Sequence, residues 1–247
     1  TRSTRDWSSD VCSSDLAEIL PEHAMAGMGE YNAANFVGAG VSEQGEGYVH
    51  AFYLAASGGG ATSNHDGLPH MFGACIMGNM GYESIEQVEM ARPFYVREVC
   101  AIADSGGVGT FRGAVGVRHR IQPRHHVLNI NYGGSGHTCP AFGIGEGSAG
   151  SVADHWVEKA STGEKIMGLK NSGVTDIQAD QVWVADTGGG GGNGDPMRRD
   201  IDAVINDVHD GFVTCEAAER VYGVSLTVAD GKYLLDELKT KKLRGEK

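Results

Sequence analysis

The sequence has few basic residues and no long apolar run. Lysine and arginine total 20 of 247 residues, against 32 aspartates and glutamates, and the formal net charge is −12. Because an acidic chain repels phosphate backbones, this charge argues against a nucleic-acid partner. No apolar stretch approaches the roughly 18 residues that a membrane-spanning helix needs, and no secretory signal pattern is present. We therefore expect no nucleic acid and no membrane among the partners.

The sequence also lacks paired cysteines. Its five cysteines are widely spaced along the chain, at Cys12, Cys75, Cys100, Cys139 and Cys215. Since no two of them form a C-x-x-C pair, neither a zinc knuckle nor a thioredoxin-type motif is supported. This spacing is typical of reduced, buried thiols in a cytoplasmic protein.

Glycine, in contrast, is abundant. It occupies 38 positions, about double the usual share of roughly 7%. The glycines show no three-residue period, which excludes collagen. They lie between short apolar runs, and this arrangement predicts a turn-rich fold with many strand ends.

The pattern of apolar residues predicts an α+β fold, with a β-rich body of mixed or antiparallel sheets. Alternation in FYVREVCAIA (94–103) and the apolar run QVWVA (181–185) predict strands, and residues 154–170 predict a hairpin. Apolar residues then recur at helical spacing between Ile201 and Val208, and Thr214 can cap a second helix. A small helical segment should therefore end the chain.

These patterns divide the chain into three parts. Residues 1–16 are rich in serine and aspartate, repeat the unit SSD and lack a methionine start, so we interpret them as a non-native artefact. Residues 17–185 should form the β-rich body. Residues 186–247 should form a glycine-rich turn followed by the helical tail.

The stretch DTGGGGGNGDP (186–196) follows an apolar run and precedes a predicted helix, the order in which many proteins bind phosphate. A Walker loop, however, needs a lysine followed by serine or threonine after its glycines, and neither is present here. Asp195 would also place a carboxylate where the phosphate should lie. We therefore expect a hinge-like turn that lets the chain leave the β-rich body, with Asp195 capping the helix that follows.

Two further segments carry groups that could act chemically. The loop NHDGLPH contains His65, Asp66 and His70, which could bind a divalent metal or take part in catalysis, or could simply form a polar surface turn. The segment RHRIQPRHH (118–126) contains three arginines and three histidines. It is typical of a charged, exposed sheet edge, and an anion site or a site for an acidic partner is the alternative.

Three motifs together resemble the hydantoinase B/oxoprolinase family. They are DSGGVGTFRGAVGV (104–117), GGGATSNHDGLPH (58–70) and the long segment from DTGGGGGNGDP to EAAERVYGV (186–224). The resemblance covers nearly everything from about residue 20 onwards. Ala114 stands where the family pattern has glycine, and Thr187 stands where proline is usual.

The resemblance implies the C-terminal part of a B-type subunit that works with an A-type subunit in the cytoplasm. Such enzymes open small cyclic amides, such as hydantoins or 5-oxoproline, in an ATP-dependent hydrolysis. ATP and a divalent metal are expected for the complete enzyme, bound mainly outside this chain. The same resemblance leaves open an acetone or acetophenone carboxylase-type subunit, and a non-catalytic scaffold that holds the partner is a further alternative.

The motifs also indicate which residues line the site. The candidate catalytic residues are Asp66, His70 and Arg112, the candidate substrate-binding residues are Ser105, Gly106 and Gly107, and the candidate metal ligand is His65. The Arg112 guanidinium could pair with a carboxylate or a phosphate. It could equally fix its own turn by pairing with Asp104.

Overall fold

The computed structural model describes residues 15–29, 37–52, 57–69, 84–133, 136–169, 171–229 and 231–245. Its strands are β1 (Val37–Val41), β2 (Gly47–Ala51), β3 (Phe94–Ala101), β4 (Val117–Pro123), β5 (Leu128–Gly133), β6 (Asp154–Lys159), β7 (Lys165–Gly168), β8 (Ser172–Ile177), β9 (Gln181–Asp186), β10 (Leu226–Ala229) and β11 (Lys232–Leu235). Its helices are α1 (Ile85–Ala91), α2 (Ile201–His209), α3 (Cys215–Tyr222) and α4 (Glu237–Arg244), with a 3₁₀ turn at Pro196–Arg198. Residues 15–19 form a further helical turn.

Two antiparallel sheets pack face to face. Four strands pair in the order β2-β1-β5-β8, and five pair in the order β3-β4-β9-β6-β7. Side chains alternate between buried and exposed along β5, as expected where one face of a sheet covers a core. The core between the sheets includes Ile130 of β5 and Trp183 of β9, both fully buried. The predicted α+β, β-rich fold class is confirmed.

The basic segment 118–126 does not form a sheet edge. Strand β4 pairs with β3 on one side and with β9 on the other. The Arg118 guanidinium binds Asp186 on β9 through two hydrogen bonds of 2.7 Å, and Arg120 pairs with Glu158 on β6. The prediction of an exposed, charged edge was wrong, because β4 is paired on both sides and carboxylates on β9 and β6 neutralise these arginines.

The glycine-rich stretch is buried and hydrogen-bonded to other backbone segments. The N–H groups of Thr187, Gly190 and Asn193 donate to the carbonyls of Val117, Ala114 and Phe111, each at 2.9 Å. Gly58 and Ala61 in turn donate to Gly188 and Gly191, at 3.0 and 2.9 Å. Within each pair of segments, successive hydrogen-bonded residues are three positions apart in the sequence. Three residues per turn is the repeat of the polyproline II helix. We call the segments that pack in this way (26–29, 57–61, 105–116, 141–150 and 187–193) the glycine bundle.

The glycines of 189–192 are required by close approach of other backbone segments. A Cβ atom at Gly189, Gly190, Gly191 or Gly192 would lie 1.8–2.2 Å from a carbonyl oxygen of a neighbouring segment. None of these four glycines has a positive φ, which only Gly194 adopts in this stretch, at 76°. The stretch is therefore not the hinge-like turn that we expected, since its glycines provide space rather than unusual backbone angles.

The helical tail begins with a short 3₁₀ turn and not directly with the predicted helix, which starts at Ile201 and is capped by Asp200. The Asp195 side chain accepts a hydrogen bond from the Met197 N–H at 2.8 Å and caps the 3₁₀ turn, with Pro196 at its first position. Thr214 caps α3, which Gly223 ends in the left-handed conformation. The two helices α2 and α3 share a second apolar core that includes Tyr222.

Two smaller observations concern the membrane and the thiols. Among the residues given above, no helix has the length and apolar character needed to cross a membrane. The cysteines Cys100, Cys139 and Cys215 are free, and none of these three is buried. The expectation of buried thiols was therefore wrong for them.

Candidate functional site

The structure brings Asp66 and Arg112 together. The Asp66 carboxylate accepts a hydrogen bond of 2.8 Å from the backbone N–H of Arg112, 46 positions later in the chain. Gly67 returns a hydrogen bond of 2.8 Å to the Arg112 carbonyl. Two of the three candidate catalytic residues thus meet, and the third, His70, lies outside the described residues.

A second arginine, which the sequence did not reveal, holds the same carboxylate. The Arg199 guanidinium binds Asp66 through two parallel hydrogen bonds of 2.6 and 2.7 Å. It also binds Asp207 of α2, at 3.0 and 2.7 Å, and the Thr110 carbonyl at 3.1 Å. All five N–H donors of Arg199 are therefore used. Such paired geometry is the strongest form of arginine–carboxylate contact.

Asp207 links the two arginines. Its second oxygen accepts a hydrogen bond of 3.0 Å from Arg112, whose other terminal nitrogen donates to the Gly113 carbonyl at 2.7 Å. We call Asp66, Arg199, Asp207 and Arg112 the buried ion-pair network. Its two positive and two negative charges compensate each other, which is the condition for keeping such groups away from water.

The charge state of Asp66 follows from these contacts. Burial alone would raise its pKa, but the hydrogen bonds and charge of Arg199, together with Arg112, hold the pKa below its ordinary value. The side chain of Asp66 is 36% exposed, whereas that of Arg199 is 3% exposed. Asp66 is therefore an ionised carboxylate at neutral pH that can orient or attract a group, rather than a proton donor.

The candidate substrate-binding residues lie in the glycine bundle. The Ser105 hydroxyl donates to the Ile102 carbonyl at 2.6 Å and accepts from the Gly116 N–H at 2.8 Å. A Cβ atom at Gly106 or Gly107 would lie 2.2 or 2.3 Å from a carbonyl oxygen of an adjoining segment. These contacts fix the backbone of the motif, and a role in binding substrate remains a prediction.

The aspartate of the same motif positions a helix. Asp104 has a φ of 59°, a conformation that aspartate tolerates better than most residues. Its carboxylate accepts from the N–H and the hydroxyl of Thr214, at 2.9 and 2.7 Å. Since Asp104 binds the cap of α3 and Arg112 binds Asp207 of α2, the pairing of Asp104 with Arg112 does not form. The motif instead connects the glycine bundle to both helices.

The described residues do not fit a divalent metal, and the backbone N–H groups of 189–194 do not fit the phosphates of ATP. His65 is exposed at the surface, and both oxygens of the adjacent Asp66 are bound by Arg199. Over the described ranges, no group of three or more His, Cys, Asp or Glu side chains could hold a metal ion. In the glycine-rich stretch, each backbone N–H from 189 to 194 already donates within the chain. None of these six N–H groups is left for a phosphate.

Comparison with known sequences gives one family and several named relatives. The sequence model of the family described as hydantoinase B/oxoprolinase matches residues 2–196. The chain is 30% identical over 233 residues to the caprolactamase subunit beta of Pseudomonas jessenii, a match that covers 91% of this chain and 39% of that subunit. It is also 30% identical over 256 residues to the acetone carboxylase alpha subunit of Xanthobacter autotrophicus, which covers 88% of this chain and 32% of that subunit.

The fold also matches a solved structure. The crystal structure of the ATP-dependent caprolactamase from Pseudomonas jessenii superimposes with a TM-score of 0.75 at 24% identity, over 93% of this chain and 40% of that one. This match shows a shared fold. The chain spans about two fifths of the length of the caprolactamase subunit. The family match over residues 2–196 includes the glycine bundle and Asp66.

Proposed function

This chain belongs to the hydantoinase B/oxoprolinase family, and on that premise we propose that it is part of a B-type subunit that opens a small cyclic amide. The reaction consumes ATP and requires an A-type partner subunit. The observation that carries the proposal is the family match over residues 2–196, which contains Asp66, Arg112 and the whole glycine-rich stretch. The similarity to a caprolactamase subunit supports a cyclic amide as substrate.

ATP and a divalent metal, in this proposal, are bound by other parts of the complex. The bound N–H groups of the glycine-rich stretch and the two Arg199 contacts of Asp66 support this assignment. ATP would supply a phosphoryl group that makes an unreactive oxygen of the substrate a leaving group. The part of the chain described here would contribute the rigid body and the Asp66 carboxylate at its surface.

Among the candidate site residues, we assign Asp66 the direct role. Its ionised carboxylate is partly exposed, so a substrate amide N–H or a cationic group of the partner could reach it. The side chain of Arg112 is 8% exposed and is held by Asp207 and Gly113. In this proposal Arg112 therefore supports Asp66 through its backbone N–H and does not touch the substrate.

A carboxylase reaction is the second candidate. It is favoured by the 30% identity to an acetone carboxylase alpha subunit. The solved acetone carboxylase and caprolactamase are both described as ATP-dependent, but only a carboxylase consumes bicarbonate. The dependence of product formation on bicarbonate therefore separates the two.

A non-catalytic scaffold is the third candidate. It is favoured by the engagement of Ser105, Asp66 and Arg112 in contacts within the chain. A scaffold would hold the A-type subunit without touching the substrate. Substitution of the exposed Asp66 by asparagine would then leave the reaction rate of the assembled complex unchanged.

The experiment uses the complete B-type subunit with its A-type partner. ATP hydrolysis and product formation are measured with ε-caprolactam, hydantoin and 5-oxoproline, and with acetone in the presence and absence of bicarbonate. We expect ATP consumption and ring opening with at least one cyclic amide, independent of bicarbonate. Turnover of acetone alone would favour the carboxylase, and no ATP consumption with any of the four compounds would contradict both enzymatic functions.

A further inference from the structure

The buried ion-pair network has one end that reaches the surface. The side chain of Asp66 is 36% exposed, compared with 3% for Arg199 and 8% for Asp207. Arg112 is also 8% exposed. A group approaching from outside therefore meets Asp66 first among the four members.

The position of Asp66 depends on two other segments. Its carboxylate is held in a plane by the two parallel hydrogen bonds from Arg199, which lies 133 positions away. The Arg112 N–H binds one of the same oxygens, and the adjoining Gly67 binds the Arg112 carbonyl. The loop 62–67 is thus attached to the glycine bundle through its backbone and to the start of the helical tail through Arg199.

Arg199 is itself fixed in one orientation. Asp207 binds its Nε and one terminal nitrogen, at 3.0 and 2.7 Å, and the Thr110 carbonyl binds the other at 3.1 Å. The planar guanidinium can bridge two carboxylates because its five donors point in fixed directions. A lysine ammonium has the same charge but cannot reproduce this fork.

We propose that Arg199 is a positioning residue for the reaction, which fixes the Asp66 carboxylate and the loop 62–67 relative to α2. This inference rests on the proposed function, because it is the exposed Asp66 that would meet the substrate. Arg199 is buried and acts through Asp66, while Asp207 sets the orientation of Arg199. The sequence motifs did not include either residue as a candidate.

The test compares Arg199→Lys with Arg198→Lys in the complete B-type subunit. Arg198 is the adjacent, exposed arginine, so Arg198→Lys makes the same type of substitution at a position outside the network. Hydrogen exchange of the peptide spanning residues 62–69 reports the loop, and kcat and the KM for ATP of the assembled complex report the reaction. Arg199→Lys should increase exchange of this peptide by about tenfold and lower kcat by about 100-fold. The KM for ATP and all values for Arg198→Lys should stay unchanged.

A second variant, Asp66→Asn, keeps the test decisive if Arg199→Lys does not fold. It removes the charge at the exposed end of the network and should release the same loop. Where both single variants fold, the double variant should lose no more of kcat than the more affected single variant, because the two residues act as a unit.

The outcomes separate this inference from the proposed function. Unchanged exchange of residues 62–69 in both variants overturns the inference, whatever the activity. Faster exchange with a wild-type kcat overturns it as well, because the loop then moves without affecting the reaction. A wild-type complex that opens no cyclic amide contradicts the proposed function, and the exchange measurement alone then decides whether Arg199 holds the loop.

Discussion

The glycine bundle predicts a large loss of stability when Gly190 is replaced by alanine. A Cβ atom at this position would lie 2.0 Å from the Gly59 oxygen and 2.4 Å from its carbon. These atoms are backbone, and they cannot rotate away as a flexible side chain could. The N–H of Gly190 also donates to the Ala114 carbonyl at 2.9 Å. Relief of the clash must therefore displace segments that are hydrogen-bonded on several sides.

The expected cost lies at the upper end of overpacking, about 3 kcal/mol or more. For a chain of this size, about 1 kcal/mol corresponds to roughly 2–4 °C in Tm, so Gly190→Ala should lower Tm by about 6–12 °C. The control is Gly47→Ala, because no atom lies within 4 Å of a Cβ built at Gly47 and its φ is not positive. Thermal unfolding followed by circular dichroism measures both. A Gly190→Ala variant whose Tm lies within about 2 °C of the control would show that a Cβ atom at this position meets no rigid backbone.

Three further predictions concern the ion pairs, the cap and pH. Asp207→Asn should cost about 3–5 kcal/mol, because it leaves two buried arginines short of one charge, while Asp202→Asn on the exposed side of α2 should change stability little. Asp195→Ala should cost about 1 kcal/mol through loss of the cap that its side chain provides. Urea unfolding measures the stability of these three variants. Wild-type stability in Asp207→Asn or Asp195→Ala would contradict the contacts described. Burial, with a smaller effect of the nearby His155, lowers the pKa of His119 to about 3, below the 6.5 of a free histidine. Protonation therefore favours the unfolded chain, and this contribution to stability is complete above about pH 6.5 and falls by about 1.4 kcal/mol per pH unit towards pH 3. His119→Phe should lower the slope of the unfolding free energy against pH by about 1.4 kcal/mol per pH unit, the effect of one proton. An unchanged slope between pH 4 and 6 would contradict this shift in the pKa of His119.

The local features of the fold could be predicted from the sequence. The caps at Asp195 and Thr214, the stop at Gly223 and the hairpin of β6 and β7 each follow from neighbouring residues, and the structure has them. The family resemblance inferred from the glycine-rich motifs is also confirmed. The caps, the helix stop and the hairpin share one property, which is that each is determined by residues close together in the sequence.

The remaining features depend on distant segments. Strand β1 was not predicted, because its sequence VGAGV contains two glycines that normally weaken a strand, and its Gly38 is required by the close Phe52 ring. The glycine bundle was not predicted, because its three-residue repeat matches neither the period of an α-helix nor that of a β-strand. Arg199 meets Asp66 across 133 positions. No single-sequence pattern joins two such residues.

The position of β4 is a further example of what local patterns omit. The segment 118–126 has the composition of an exposed edge, but the acidic partners of Arg118 and Arg120 lie on three other strands, at Glu98, Glu158 and Asp186. Pairing with these carboxylates removes the reason for keeping the strand at an edge. The sequence shows all of these residues, but it does not show that they lie next to each other in the fold.

The proposed function is tested most directly by the ATP-dependent rate of cyclic-amide opening by the complete subunit pair, measured with wild-type protein and with Asp66→Asn. We expect ring opening that requires ATP and does not require bicarbonate in the wild type. Asp66→Asn should lower kcat at least about tenfold, which corresponds to about 1.4 kcal/mol of activation free energy. Equal rates for the two proteins would contradict the role of Asp66, and a wild-type rate that depends on bicarbonate would contradict the hydrolytic reaction.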